Sequence, residues 1–171
     1  MSRIAVTGVG LVTPVGSGSE QVFERLLAGV SGIGAVESFD TSRHAVHRGG
    51  EVRDFHAAGH FRRLDPRQHG RAAQMAVAAA RLALADAGLD PERLDPERAG
   101  VSMGTTSGEP QEVERFDDRI LAGELDRVGA EFIGRYPCHV IPGVVAAELG
   151  FEGLNVMIPT ACAAGNYAIA Y

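Results

Sequence analysis

From Leu154 to Tyr171 the chain carries no charged side chain, and an apolar run passes through one short turn into an alanine-rich segment. Leu154-Asn155-Val156-Met157-Ile158 reads as a buried strand. Ala163, Ala164, Ala168, Ile169 and Ala170 read as a helix covered on all sides. The turn between them is Pro159-Thr160-Ala161-Cys162. A chain with this segment has to build a layered interior around it. It stops at Tyr171 inside the helix, with no cap, glycine or polar tail. The expectation is that polypeptide outside residues 1–171 completes the fold.

The rest of the chain alternates in the same way. Ile4-Ala5-Val6-Thr7-Gly8-Val9 predicts a second buried strand, closed by a glycine loop from Gly10 to Gly18. Ser19 is placed to cap a short helix with Val22, Phe23, Leu26 and Leu27 on its apolar face, and Gly29 to end it. Two alternating pieces around Ile33–Phe39 and Val46–Phe55 predict edge strands. The clearest helix has Asp65 as cap, Pro66 at the first position and Gln68 completing a capping box. Alanines recur along its face from Ala72 to Ala87 and Gly88 stops it, so whatever packs there comes very close. Ala99-Gly100-Val101-Ser102-Met103 predicts a third strand, followed by the loop Gly104-Thr105-Thr106-Ser107-Gly108. Helices are expected over Glu109 to Phe132 and Pro137 to Leu149. Strands alternating with helices argue for an α/β fold with a largely parallel sheet, in one domain.

Composition narrows the function. With 16 Lys+Arg against 22 Asp+Glu the net charge is −6, which removes the electrostatic footprint of a nucleic-acid binder. The basic stretch Arg62 to Arg71 has no interleaved aromatic ladder and reads as a solvated loop and helix start. No apolar run reaches the roughly 18–20 residues of a membrane span, and Met1-Ser2-Arg3 leads straight into a strand-like run rather than a signal peptide. Two cysteines, Cys138 and Cys162, make neither a disulfide framework nor a four-ligand zinc site, so no metal is expected. A reduced, cytoplasmic setting fits this usage.

Cys162 is where chemistry could sit. A cysteine at a strand-to-helix turn receives the partial positive charge of the helix N-terminus, which favours thiolate. Its neighbours Ala161, Ala163, Ala164 and Gly165 are small enough for a substrate to reach the sulfur. This is the logic of a nucleophile elbow in acyl transfer. On residues alone a buried core cysteine stands equally open. Gly8-Val9-Gly10 invites a dinucleotide-binding reading, but Thr13 occupies the place of the third glycine and Pro14 follows. No acidic residue ends a second strand some 20 residues on. A cysteine hydrolase lacks a His and an Asp placed to activate Cys162.

The segment Ile158-Pro159-Thr160-Ala161-Cys162-Ala163-Ala164-Gly165 resembles the active-site signature of β-ketoacyl-acyl-carrier-protein synthases, the decarboxylating condensing enzymes of fatty acid and polyketide synthesis. The resemblance runs along the whole chain. It takes in Val6-Thr7-Gly8-Val9-Gly10 with Thr13-Pro14 and Gly16, then Arg71 and Gln74-Met75-Ala76 with Ala83 to Leu89. Gly100-Val101 with Gly104-Thr105, then Gly150 and Gly153, continue it. It implies the N-terminal half of a thiolase-like fold, layered α/β/α/β/α, in a family of usual homodimers whose chains are more than twice this length.

The resemblance also implies a ping-pong reaction. Cys162 accepts an acyl group from the phosphopantetheine arm of an acyl carrier protein, and its backbone N–H supplies part of an oxyanion hole. A malonyl-carrier protein then loses CO2 and its carbanion attacks the thioester. No cofactor is implied beyond that arm. The family's two catalytic histidines and buried lysine fall beyond Tyr171, so this stretch alone is expected to be inactive. His44, His47, His56, His60 and His69 are expected to be exposed or locally bonded. Ser107 falls where relatives place a bulky aliphatic gate, and Thr106, Ser107 and His139 are expected near the acyl pocket, while Cys138 is a small hydrophobe. Implied partners are an acyl carrier protein, the missing C-terminal half, and a second ketosynthase-like protomer, identical or not. The alternatives are a non-catalytic partner subunit of the chain-length-factor type, and an inert half of a split enzyme.

Overall fold

The computed structural model describes residues 4–124 and 129–171. The chain divides into two compact units, Met1–His56 with Ala78–Asp90, and Ala57–Val77 with Pro91–Tyr171.

In the first unit, β1 (Val12–Thr13) and β2 (Gly16–Ser17) form a tight antiparallel pair, and the Thr13 hydroxyl donates to the Gly16 carbonyl at 2.9 Å. Helix α1 (Ser19–Leu27) follows Gly18, whose φ of 85° favours glycine. Ser19 is therefore the first helical residue and not the cap, and its hydroxyl donates to Asp86 at 3.1 Å. The other end is as predicted. Gly29 takes φ 68° and its N–H reaches Leu26 O at 3.0 Å, while Val30 N–H reaches Arg25 O at 2.9 Å. This is a Schellman closure. The expected edge strands form as β3 (Ile33–Ala35) and β4 (Arg48–Gly50), antiparallel with Ile33 opposite Gly50.

Helix α2 (Arg71–Asp86) supplies residues to both units, 71–77 to the second and 78–86 to the first. The expected close approach to its alanine face is real. A Cβ on Gly8 would meet Ala83 O and Ala87, and one on Gly10 would meet Ala79 O, so both positions need glycine. The strand predicted over Ile4–Val9 does not form. The segment pairs with no described strand, Ile4 and Val6 are exposed, and Val9 N–H donates to Asp86 at 2.8 Å instead. A strand exists by its ladder partner, and local hydrophobicity does not supply one. The same limit applies to α1, where Val22 is buried but Phe23, Leu26 and Leu27 are exposed.

In the second unit, Asp65 accepts from Arg67 N–H at 3.0 Å and caps only the 3-10 turn Pro66–Gln68. His69 is extended, so the capping box does not start α2. The first turn of α2 is instead capped from a distance, with Ala72 and Ala73 N–H each donating to the Glu109 carboxylate at 2.9 Å. Its far end stops at Gly88 (φ 65°) as predicted.

Strands β5 (Val101–Gly104) and β6 (Asn155–Ile158) are parallel, with Val101 opposite Asn155 and Gly104 opposite Ile158. The segment predicted helical over Glu109 to Phe132 is α3 (Pro110–Leu121) and α4 (Gly129–Arg135), and residues 125–128 lie outside the described residues. Phe116 and Phe132 pack at 4.5 Å between ring centroids, and Phe132 stacks on Tyr136 at 4.7 Å. Helix α5 (Val140–Leu149) is apolar all round and buried along most of its length. One carboxylate sits inside it. Glu148 is fully buried and accepts N–H bonds from Arg62 (2.7 Å), Leu64 (2.9 Å) and Arg63 (3.1 Å). The stretch read as a solvated loop is thus bonded into this unit through its backbone.

Helix α6 (Ala164–Ala170) begins one residue later than predicted and is not buried on all sides. Ala164 is buried, but Tyr167, Ile169 and Tyr171 are exposed. The helix packs on β5 and β6 with one face, and the Ser102 hydroxyl donates to Ala168 O at 2.7 Å. An uncharged composition describes what a helix can tolerate, and packing decides which faces are covered.

Candidate functional site

Two neighbouring parallel strands end on the same edge, so the loops after β5 and β6 leave the sheet side by side. In open α/β sheets that carboxyl edge is where ligands bind. After β6, Ala161 takes φ 50°, alone among described non-glycine residues. A left-handed residue costs roughly 1–2 kcal/mol. This strained step turns the chain from strand to helix, through the 3-10 turn Ala161–Ala163. Ala163 N–H donates to Thr160 O at 3.3 Å, and Ala164 N–H donates to Ala161 O. Cys162 lies in that turn and is exposed, not a core residue of the described chain.

After β5, the loop is held at both ends by backbone contact. A Cβ on Gly104 would meet the carbonyl of Ala164 and the N of Gly165. One on Gly108 would meet Tyr136 O and the backbone of Cys138. Between these anchors, Thr105 Oγ1 donates to Ser107 O at 2.9 Å and accepts from Ser107 N–H at 3.3 Å. Thr106 and Ser107 are exposed on this small turn. Cys138 is half-buried, and His139 stands exposed immediately before α5 with no side-chain cap bond.

The structure therefore joins the Cys162 turn, the Thr106–Ser107 loop and the approach to His139 through two glycines. Among the described residues the four side chains are not hydrogen-bonded to one another, and backbone packing is what brings their segments together. His44 and His47 are exposed and locally bonded, as expected. His44 lies edge-on to Phe39 at 5.7 Å, and His47 Nδ1 is hydrogen-bonded to Thr41 Oγ1 at 3.1 Å. His69 stacks on Phe61, and burial together with the nearby Arg135 lowers its pKa.

Two buried carboxylates that tie distant backbone segments together were not predicted. Glu109 and Glu148 are buried carboxylates that accept backbone N–H bonds from segments 36 or more residues away. The signal for Glu109 was its place before Pro110, with Gly70 leaving open the space its carboxylate fills. A separate cleft of about 240 Å3 lies between α3 and α4, lined by Glu112, Arg115, Phe116, Arg119, Glu131 and neighbours. It includes none of the predicted site residues. Arg119 and Arg135 pair with Glu131 there, and these charges lower the Glu131 pKa.

Comparison with known proteins identifies the family. Residues 1–171 match the family described as Beta-ketoacyl synthase, N-terminal domain. The chain is 32% identical over 167 residues to 3-oxoacyl-[acyl-carrier-protein] synthase 2 of Staphylococcus aureus (strain COL), covering 98% of this chain and 40% of that one. It is 34% identical over the same length to the synthase of that name from Synechocystis sp.. It thus spans about two fifths of the curated relatives it matches. Among solved structures, the ishigamide ketosynthase/chain length factor superposes with TM-score 0.87 at 34% identity, over 95% of this chain and 41% of that one. A beta-ketoacyl synthase from Burkholderia phymatum STM815 gives 0.81 at 28% identity, over 100% and 42%. These likenesses place the chain in the thiolase-like α/β fold, of which it carries the N-terminal half. With the cysteine-bearing turn, the glycine-anchored loop and the match along its whole length, the chain belongs to the beta-ketoacyl synthase family as its N-terminal domain.

Proposed function

We propose that residues 1–171 are the nucleophile-bearing part of a β-ketoacyl-acyl-carrier-protein synthase. The observation that carries the reading is Cys162, exposed on a strained strand-to-helix turn at the carboxyl edge of two parallel strands. In the first half-reaction the Cys162 sulfur attacks an acyl thioester on a carrier protein. The new C–S bond forms on Cys162, the old one breaks, and the carrier thiol leaves with the proton. The N–H of Cys162 stabilises the oxyanion. In the second, a malonyl thioester loses CO2, its carbanion attacks the Cys162 thioester, and Cys162 departs as thiolate.

Decarboxylation places negative charge on the malonyl thioester oxygen, which needs positioned donors in a dry site. The family resemblance assigns that task to two histidines supplied by polypeptide beyond residues 1–171, so this stretch alone does not condense. Thr106, Ser107 and His139 line the acyl path in this reading. Its partners are an acyl carrier protein and a second ketosynthase-like protomer, and it works in the cytoplasm without nucleic acid, membrane, metal or cofactor. Relatives named 3-oxoacyl-ACP synthase support the carrier-bound substrate. So does the likeness, at 25% identity and TM-score 0.75, to a ketosynthase solved with its type II acyl carrier protein, AntDE:AntF. No helix among the described residues is long and apolar enough to cross a membrane. A partner of the chain-length-factor type is the second reading, and the cysteine at position 162 disfavours it.

The test is acyl loading of the full-length protein from an acyl-carrier-protein thioester. Unmodified protein is expected to carry the acyl group on Cys162, and Cys162→Ala to carry none while keeping its fold. Acylation of another residue, or none in the unmodified protein, overturns the assignment.

A further inference from the structure

Glu109 is 3% exposed, and both its carboxylate oxygens are used, one by each of the Ala72 and Ala73 N–H groups. A buried carboxylate is costly unless hydrogen-bonded, and bonds to a charged acceptor are among the stronger ones. The space for it is made by Gly70, where a Cβ would collide with the Glu109 side chain. Glu109 is also the residue that ends the loop after β5. Gly108, on one side, is pressed against Tyr136 and Cys138, and Pro110 opens α3 on the other.

A second tie runs parallel to the first. Glu112 N–H donates to Glu109 O at 2.9 Å, and the Glu112 carboxylate, 6% exposed, meets Arg115 at 2.6 Å and Arg135 at 3.8 Å. Arg135 in turn donates to the carbonyls of Gln68 (3.0 Å) and Arg67 (3.3 Å). The start of α3 is thus fastened to the segment 67–73 by two carboxylates. The loop Thr105–Gly108 hangs between that fastening and the contact of Gly104 with Ala164. Its interior is held by the two Thr105–Ser107 bonds.

We infer that Glu109 is a positioning residue for acyl selection: by capping α2 it fixes the C-terminal end of the loop that presents Thr106 and Ser107 beside the Cys162 turn. This rests on the reading of Cys162 as the acylated nucleophile. A loop held at both ends presents one surface to an incoming chain, and releasing one end lets it yield to several. Small displacements of positioning groups change rates by factors up to about a hundred.

The experiment uses the full-length protein with Glu109→Ala, Glu109→Gln and Gly70→Ala, the last displacing the carboxylate without removing it. Asp65→Ala removes a neighbouring cap that does not touch the loop and serves as control. Two readouts are taken on each. Hydrogen exchange of the peptides over 71–74 and 104–109 reports whether the loop is held. The ratio of kcat/KM values across acyl-carrier-protein primers of different chain length reports selection.

Glu109→Ala and Gly70→Ala are expected to speed exchange in both peptides and to flatten the primer ratio by about tenfold. Alkylation of Cys162 by iodoacetamide should stay within about twofold. Glu109→Gln keeps one acceptor oxygen and restores part of the ratio, and Asp65→Ala leaves it unchanged. Unaltered exchange in 104–109 overturns the inference, and so does faster exchange with an unaltered primer ratio. If Glu109→Ala does not fold, Gly70→Ala and Glu109→Gln carry the same decision. If the unmodified protein loads no acyl group on Cys162, the reading of the nucleophile fails, and selection by Glu109 fails with it. The exchange data then still show separately whether Glu109 holds the loop.

Discussion

Gly104, the last residue of β5, lies against the carbonyl of Ala164, the first residue of α6, with no room between them for a methyl group. The obstructing atoms are backbone, so they cannot swing aside as a flexible side chain would. This contact sets how closely the cysteine-bearing turn approaches the neighbouring loop.

Gly104→Ala is therefore expected to destabilise the protein by about 1–3 kcal/mol, the usual range for overpacking. It should also slow Cys162 alkylation by displacing the start of α6. Denaturant unfolding and the iodoacetamide rate check the two effects. A variant with unchanged stability would show that the helix moves away without cost.

Ala161 sits at φ 50° immediately before Cys162. Ala161→Gly removes the steric penalty but adds freedom to the unfolded chain, so its stability should change by no more than about 1 kcal/mol. Ala161→Val, branched at Cβ, should lose more than about 1 kcal/mol and reduce acyl loading. Thermal unfolding of the pair, with loading measured alongside, tests whether the turn conformation matters for the nucleophile.

Glu148 accepts three consecutive backbone N–H bonds while fully buried. Glu148→Ala leaves those donors without it, at a cost of about 3 kcal/mol or more. Glu148→Gln keeps one acceptor oxygen and should recover part of the loss. Exchange of the Arg62, Arg63 and Leu64 amides should rise with the same order of effect.

Ser107 is exposed on the loop beside the Cys162 turn. Ser107→Ile and Ser107→Phe are expected to shift the preferred primer toward a different acyl length. Competition between carrier-bound primers reads this directly, and an unchanged profile would show that Ser107 does not line the acyl path.

Acid should loosen the β3–β4 hairpin in a defined window. The Ser38 hydroxyl, with the Glu37 and Ser38 amides, holds the Glu51 carboxyl down to about 2 from 4.5. Because the folded value lies below the unfolded one, the contribution is present above pH 4.5 and lost as pH falls toward 2. NMR titration should show the Ser38 and Glu37 amides moving in that range. Glu51→Gln should remove the transition.

The sequence by itself determined the features whose causes lie within a few residues. Gly29 and Gly88 end their helices at positive φ, Asp65 caps the turn that Pro66 begins, and the runs around Val101 and Val156 become paired strands. A close approach to the alanine face of α2 was legible too, because small residues line it, whereas the fold decided that Gly8 and Gly10 make that approach. The turn carrying Cys162 was legible from an apolar run followed by Pro159, Thr160 and small residues. Tertiary structure alone decided where α2 starts, since its first N–H groups wait for Glu109 from another part of the chain. It also decided that Glu148 belongs inside an apolar helix, that Ile4–Val9 finds no described ladder partner, and that α1 and α6 each leave an apolar face exposed. Caps, turns and glycine stops are local hydrogen-bond and steric problems, solved by neighbours in sequence. Long-range acceptors, strand pairing and burial depend on which segments the folded chain brings into contact, and no local pattern encodes that choice.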